Sequence, residues 1–295
     1  MTIFAFIGLG NMGGPMAANL VRARHEVRGF DLVPELCDAA EKTGVAIAET
    51  VQEAAAHVDV IVTMLPSGTH VLSVWRDIAQ CAQQSTMIID CSTIDVTSAR
   101  AAHDIAEEAG LIPLDAPVSG GVGGATAGTL TFMCGGHRAA FTVARPTLEL
   151  MGKRIVHCGD AGAGQAAKIC NNMILGATMI ATCEAFVLAE KLGLDHQALF
   201  DVASTSSGQS WSMTSYCPVP GPVPASPANN GYKPGFAAAL MLKDLTLARE
   251  AAAASGAATP LSAQAQALYA RFNEAGGATQ DFSGIIEWLR SGGTH

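Results

Sequence analysis

The chain has 295 residues, 49% of them hydrophobic and only 15% charged, which is material enough for a dense core and for two domains. Its net charge of -9 argues against non-specific binding to nucleic acid or acidic membranes, and no block of like charges forms an interaction tail. Eight cysteines without a CxxC pair read as buried free thiols in a reducing compartment, and eight histidines without HxxxH or HxH spacing give a metal site no support.

The first stretch, "MTIFAFIGLG", is apolar but short and lacks a basic leader, so it reads as a strand and not as a signal peptide. From there to about residue 160, strand-like runs alternate with helical ones. The strands expected are "TIFAFIGLG", "EVRGFD", "VDVIVTMLP", "TMIIDCST", "LIPLDAPV", "TLTFMCGG" and "KRIVHCGD". Helical stretches such as "MGGPMAANLVRA", "VPELCDAAEKTG", "IDVTSARAAHDIAEEAG" and "RAAFTVARPTLELMG" lie between them. Strands that are apolar on both faces and alternate with helices predict an α/β domain, its parallel sheet covered on each side. His103 falls on an expected surface helix and His157 in an expected strand, and neither has the spaced partner that ligand or base chemistry needs.

The first strand runs into "GLGNMG", which places Gly8, Gly10 and Gly13 in GxGxxG order with Leu9, Asn11 and Met12 between them. Gly8 permits a tight turn, Gly10 lets backbone amides approach a pyrophosphate, and Gly13 lets the next helix pack on the strand. Between a strand and a helix, at the head of an alternating chain, this pattern indicates a Rossmann-type dinucleotide site. Asp31 closes the second strand, where a carboxylate takes the adenosine ribose hydroxyls; it favours NAD, because a 2′-phosphate would meet its charge. Arg28 lies upstream of Asp31 and is badly placed to clamp such a phosphate. Leu65 and Pro66 end a later strand, and Thr93 follows another. In open sheets ligands bind beyond the carboxyl ends of strands, so these residues are expected to line the cofactor. Thr93 could instead cap the following helix, but Asp95 can do so too and would leave Thr93 free.

"DAPVSGGVGGATAGTL" brings Ser119, Gly120 and Gly121 to another strand end. Backbone N–H groups and a hydroxyl there suit a small carboxylate, while a flexible hairpin would have the same glycine content. Near Gly162 the pattern changes. Residues 163 to about 192 read as one long helix, and the rest is helical apart from the proline-rich "CPVPGPVPASPANNGYKPGF". Later helices are expected in "AAALMLKDLTLAREAAAASG", "PLSAQAQALYARFNEAG" and "FSGIIEWLRSG". The expected organisation is a sheet domain over 1–162 joined by a long helix to an all-α domain over 163–295.

Within that long helix Lys168 is the single charge between Asp160 and Glu184. It shares a helix face with Asn172, four residues on, whereas Asn171 points away. A snorkelling surface lysine, a structural ion-pair partner and an acid/base group are all compatible with this spacing. Over a cleft between the domains and near a cationic ring, its amine would be pushed towards the neutral form.

Four stretches in this order, "FIGLGNMGGPMAANL", "DAPVSGG", "GAGQAAKICNN" and "LMLKDLTLA", resemble the β-hydroxyacid dehydrogenases, and the resemblance runs from Phe6 to about Arg290. It implies that Lys168 is the catalytic lysine and that Asn172, Ser119, Gly120 and Gly121 bind the substrate. Lys243 would reach the cofactor from the helical domain, with Asp244 supporting it. Trp211 and Phe236 would close the pocket around a methyl group, although a helical core also explains them. The stretch "SSGQSWSMTSYCPVPGPVPASPANNGYKPGF" looks like the branch that acts on 3-hydroxyisobutyrate. Tartronate semialdehyde, L-serine, succinic semialdehyde and glyoxylate are the alternatives within the family. The resemblance thus implies NAD as cofactor, a small β-hydroxy acid as substrate and no metal. The apolar helical half and the absence of a leader point to a cytoplasmic homodimer or homotetramer. The proline-rich insertion at 217–235 reads equally as a lid or an interface element.

Overall fold

The computed structural model describes residues 1–293, and the chain divides into two compact units, Met1–Lys168 and a second that begins at Ile169. The first unit opens with β1 (Ile3–Ile7), α1 (Gly13–Arg22), β2 (Glu26–Phe30), α2 (Pro34–Glu41), β3 (Ala46–Ile47), α3 (Val51–Ala55) and β4 (Val60–Thr63). It continues with α4 (Gly68–Ala79), β5 (Met87–Asp90), α5 (Val96–Glu108), β6 (Ile112–Asp115), β7 (Val118–Ser119) and α6 (Gly121–Ala127). β8 (Leu130–Gly135), α7 (Arg138–Glu149) and β9 (Gly152–Gly159) follow, then the long helix α8 (Ala163–Lys191), which carries the chain across the boundary at Lys168.

The sheet order is β3-β2-β1-β4-β5-β6-β8-β7, with β9 paired to β8. β1 shows why the sheet is covered on both faces. Phe4 and Phe6 enter one apolar cluster with Met16, Leu20 and Phe132, whereas Ala5 and Ile7 enter another with Ile61, Trp75 and Ile78. Successive side chains of a strand point to opposite faces, so a run with no polar alternation has to be packed from both sides. Fully burying a side chain such as Phe6 contributes roughly 2–3 kcal/mol before entropy is counted. The sheet departs from the all-parallel expectation in one region. β8 runs antiparallel to β6 and β7, because "LDAPVSGG" breaks into two strands at Ala116–Pro117 and α6 turns the chain back. α6 also occupies the glycine-rich stretch that reads from composition as a loop or hairpin.

Two other expectations need refining. α5 does lie at the surface, with Arg100, Asp104 and Glu107 exposed, but His103 is on its inner side, 3% exposed, and bonds the buried Asp115. All eight cysteines are free thiols, but only Cys91, Cys134, Cys183 and Cys217 are buried, and Cys170 is exposed.

In the second unit α8 is followed by α9 (His196–Ala203), α10 (Trp211–Thr214), α11 (Ala238–Ser255), α12 (Pro260–Glu274) and α13 (Ile285–Arg290). The proline-rich segment is not wholly irregular, since Pro227–Asn230 forms a 3-10 turn capped by Ser226. α8 is long and apolar enough to cross a membrane by length and composition, yet Met179, Cys183 and Phe186 lie in a core with Met241, Leu245, Tyr269 and Ile285. Near its end Glu190 holds Arg290 of α13 at 2.6 Å, and that guanidinium keeps the Glu190 carboxyl below its usual range.

Candidate active site

β1 pairs with β2 on one side and β4 on the other, so the strand order reverses there and opens a crevice beyond its carboxyl end. The glycine loop fills this position. Gly8 turns the chain with φ +95, and its N–H donates to Phe30 O at 2.9 Å. Asp31 accepts from Leu9 N at 2.7 Å and from Val33 N at 3.0 Å, which locks the second strand end to the loop. α1 begins behind Met12, a residue with no capping side chain, and has no acid in its first turn. A methyl group built on Gly10 would meet nothing within 4 Å. Uncapped N–H groups, a positive helix end and open space at Gly10 are what a pyrophosphate requires, so the loop fits NAD.

The next two strand ends are tied to each other. Leu65 N donates to Ser92 Oγ at 2.7 Å, and Ser92 Oγ donates to Asp90 Oδ1 at 2.6 Å. Thr63 Oγ1 donates to the same carboxylate oxygen at 2.8 Å and accepts from Trp75 Nε1 at 3.2 Å. Leu65 is half-buried and Pro66 exposed, and both stand where β4 delivers them. Asp95, not Thr93, caps α5, accepting from Ser98 N at 2.7 Å. Such a cap stabilises a helix by about 1 kcal/mol.

Asp90 Oδ2 is buried and has no hydrogen-bond partner among the described residues. Burial pushes this carboxyl up to about 6 against the bonds from Ser92 and Thr63, with Asp115 adding to the rise. Folding therefore takes up a proton between about pH 4 and pH 6, and stability falls as pH rises through that window and stays lowered at neutrality. Asp90→Asn keeps an acceptor for Thr63 Oγ1, Ser92 Oγ and Ser92 N and should add about 2 kcal/mol at neutral pH but almost nothing at pH 4. Urea unfolding at the two pH values checks this. Equal effects at both would rule out the buried charge as the cause.

A second buried carboxylate organises the start of α8. Asp115 accepts from Gly162 N at 2.8 Å, Gln165 N at 3.1 Å and His103 Nε2 at 3.1 Å. Gly164 is needed for this approach, because a methyl group there would lie 2.2 Å from Met133 O. The Gln165 side chain then reaches the β5–α5 loop, donating to Ser92 O at 2.8 Å and accepting from Ile94 N at 3.1 Å. Lys168 follows three residues later and is 7% exposed. Ser119 ends β7, and Gly120 and Gly121 have φ of +136 and +61, so the chain turns sharply into α6.

In the second unit Asn172 is 2% exposed, and its amide donates to the buried Asp244 of α11 while accepting from Asn171 Nδ2 at 2.9 Å. Asp244 thus holds Asn172, and the half-buried Lys243 precedes it. Trp211 is 52% exposed and stacks on Tyr216 at 4.8 Å. Tyr216 stacks on Phe282, and Phe236 meets Phe282 edge-on at 5.7 Å. Asp281 anchors this row, accepting from Tyr216 Oη at 2.9 Å, Gly235 N at 2.9 Å and Phe236 N at 3.1 Å. Ser92, Asp90, Asp115, Gln165 and Asp281 escape a reading of motifs. A single polar residue at the end of an apolar run was the available signal for Asp90 and Asp115.

The chain matches two family models: over residues 3–159 the NAD-binding domain of 6-phosphogluconate dehydrogenase, and over 162–289 the NAD-binding domain of NADP-dependent 3-hydroxyisobutyrate dehydrogenase. A solved structure of the Mycobacterium tuberculosis 3-hydroxyisobutyrate dehydrogenase with L-serine is 55% identical and superposes with a TM-score of 0.95, over 98% of this chain and 99% of that one. The Pseudomonas aeruginosa 3-hydroxyisobutyrate dehydrogenase is 48% identical over 98% of this chain and 99% of its own length. An NAD-dependent L-serine dehydrogenase of the same organism is 46% identical over 96% of each chain. Full-length similarity, a glycine loop shaped for a dinucleotide and a helical second unit agree, and the chain belongs to the β-hydroxyacid dehydrogenases, NAD-dependent enzymes that act on a CH–OH group.

Proposed function

We propose that this enzyme oxidises the primary alcohol of 3-hydroxyisobutyrate to methylmalonate semialdehyde, a step in valine breakdown. The observation that carries the reading is the burial of Lys168, the only charge in a long apolar stretch of α8. An amine held out of bulk water on an otherwise uncharged stretch is placed to take a proton from an alcohol. NAD⁺, when bound, supplies the acceptor for the hydride. Lys168 takes the hydroxyl proton as the carbinol carbon loses that hydride and becomes an aldehyde. Ser119 and the N–H groups of Gly120 and Gly121 hold the substrate carboxylate, and Asn172, fixed by Asp244, orients the substrate. Trp211 and Phe236 shape the space for its methyl group, and Lys243 serves the cofactor. Gly8, Leu9, Gly10, Asn11, Met12 and Gly13 take the pyrophosphate, Asp31 the adenosine ribose, and Leu65, Pro66 and Thr93 the remainder of NAD. The domains divide at the start of α8: residues 1–162 carry most of the cofactor site and the loop for the substrate carboxylate, and residues 163–295 carry Lys168, Asn172, Lys243 and the surfaces for assembly.

The test is NADH absorbance with 3-hydroxyisobutyrate, L-serine, glycerate and 4-hydroxybutyrate offered side by side. The expected result is the highest kcat/KM for 3-hydroxyisobutyrate; a higher value for any other substrate overturns the assignment. L-serine is the second reading, favoured by the relative that is named for it and by its presence with the Mycobacterium tuberculosis enzyme.

We also infer that the enzyme is a cytoplasmic homo-oligomer. Ile174 and Leu188 of α8 are 61% and 59% exposed, and Ala181 and Ala185 complete an exposed apolar row on the same helix. Ile174→Glu should shift sedimentation towards the monomer. A monomeric wild-type protein would remove the assignment.

A further inference from the structure

Gln165 is fully buried at the first turn of α8, and none of the roles proposed above uses its side chain. Its amide makes two hydrogen bonds to one short segment of backbone. Nε2 donates to Ser92 O at 2.8 Å, and Oε1 accepts from Ile94 N at 3.1 Å. These are the groups immediately before and after Thr93, so the amide pairs with the chain as a neighbouring strand would and encloses Thr93 in a ring. Gln165 itself is held from behind, because its own N–H donates to Asp115 Oδ2 at 3.1 Å. Lys168 is three residues further along and neighbours Gln165 on the helix surface.

We propose that Gln165 is a positioning residue for the redox step, fixing the segment that carries Thr93 to the helix turn that carries Lys168. Both attachments are short, buried and made by one rigid amide. A sideways shift of the Thr93 segment therefore has to break a bond to Gln165 or drag the first turn of α8 with it. Reaction rates depend steeply on such alignment, since a displacement of about 1 Å can cost on the order of 10²-fold. The inference rests on the cofactor role of Thr93 and the proton-accepting role of Lys168.

Gln165→Met keeps the length of the side chain and removes both hydrogen bonds. The expected result is a fall in kcat of about 30-fold, with KM for NAD⁺ within about threefold of wild type. Deuterium at the carbinol carbon should then slow turnover more than it slows the wild type, because hydride transfer has become limiting. Gln165→Glu retains the acceptor for Ile94 N but sets a carboxylate oxygen against Ser92 O, so its kcat should fall at least as far as that of Gln165→Met. Melting temperatures accompany each variant. If Gln165→Met lowers the melting temperature while the folded enzyme keeps wild-type kcat and isotope effect, the residue is only structural and the proposal is wrong. A rise in KM for NAD⁺ with kcat unchanged also overturns it. Lys168→Ala assayed in parallel separates the two claims. Full activity in that variant removes the underlying reading, whereas its inactivity beside an unaffected Gln165→Met removes the positioning role alone.

Discussion

Lys168→Ala is expected to reduce turnover by about 10³-fold or more while NAD⁺ affinity stays within about threefold of wild type. General-base catalysis contributes roughly 10²–10⁴-fold. The proposed cofactor contacts lie at Gly8 to Gly13, Asp31, Leu65, Pro66, Thr93 and Lys243, residues other than Lys168 itself. The folded state should survive, because the start of α8 is held by Asp115 and Gln165 and not by Lys168 alone. Steady-state rates with calorimetric titration of NAD⁺ measure both quantities. Turnover within a few-fold of wild type would refute the role given to the lysine.

Gly13→Ala is expected to have the largest structural effect. A methyl group at Gly13 would lie 1.9 Å from Gly8 O, a backbone atom that cannot swing aside. Gly8 is itself fixed by φ +95 and by its bond to Phe30 O. Either α1 moves off β1 or the loop unwinds, at a cost of about 3 kcal/mol or more, and NAD⁺ affinity should fall by at least about 100-fold. Gly10→Ala is the matched control. Its methyl group meets no protein atom within 4 Å, so melting should be unchanged while the group intrudes where the pyrophosphate approaches. A Gly13→Ala protein with wild-type melting and wild-type NAD⁺ affinity would contradict this account of the loop.

The parts of the fold that are readable from sequence rest on local signals. β1, the glycine turn and α1 are consecutive, and each glycine has a separate steric reason to be there. Asp31 is readable because it ends the second apolar run. Lys168 stands out because its neighbours carry no charge over a full helix length. The support of the site depends instead on distant pairs. Asp115 reaches Gly162 across 47 residues, and Gln165 reaches Ser92 across 73, separations at which no periodicity speaks. The antiparallel β8 is hidden for the same reason, since only the register with β6 and β7 reveals its direction. His103 was within reach. It lies on one stripe with Ala99, Ala102 and Ala106, the buried face of α5, a helical spacing that the reading of α5 as a surface helix left unused. Asp281 shows the opposite case: nothing beside it in the chain hints that it gathers Tyr216, Gly235 and Phe236.

The most direct test of the central claim, that the Lys168 amine takes the alcohol's proton, is a single-turnover experiment. Lys168→Ala and wild type, each saturated with NAD⁺, are mixed with 3-hydroxyisobutyrate, and the first NADH formed on the enzyme is followed by stopped-flow absorbance. The account predicts a prompt burst in the wild type and none in the variant, whose first turnover is slowed by about 10³-fold. A burst of wild-type rate in the variant, followed by slow release, would show that the lysine serves a step other than the chemistry.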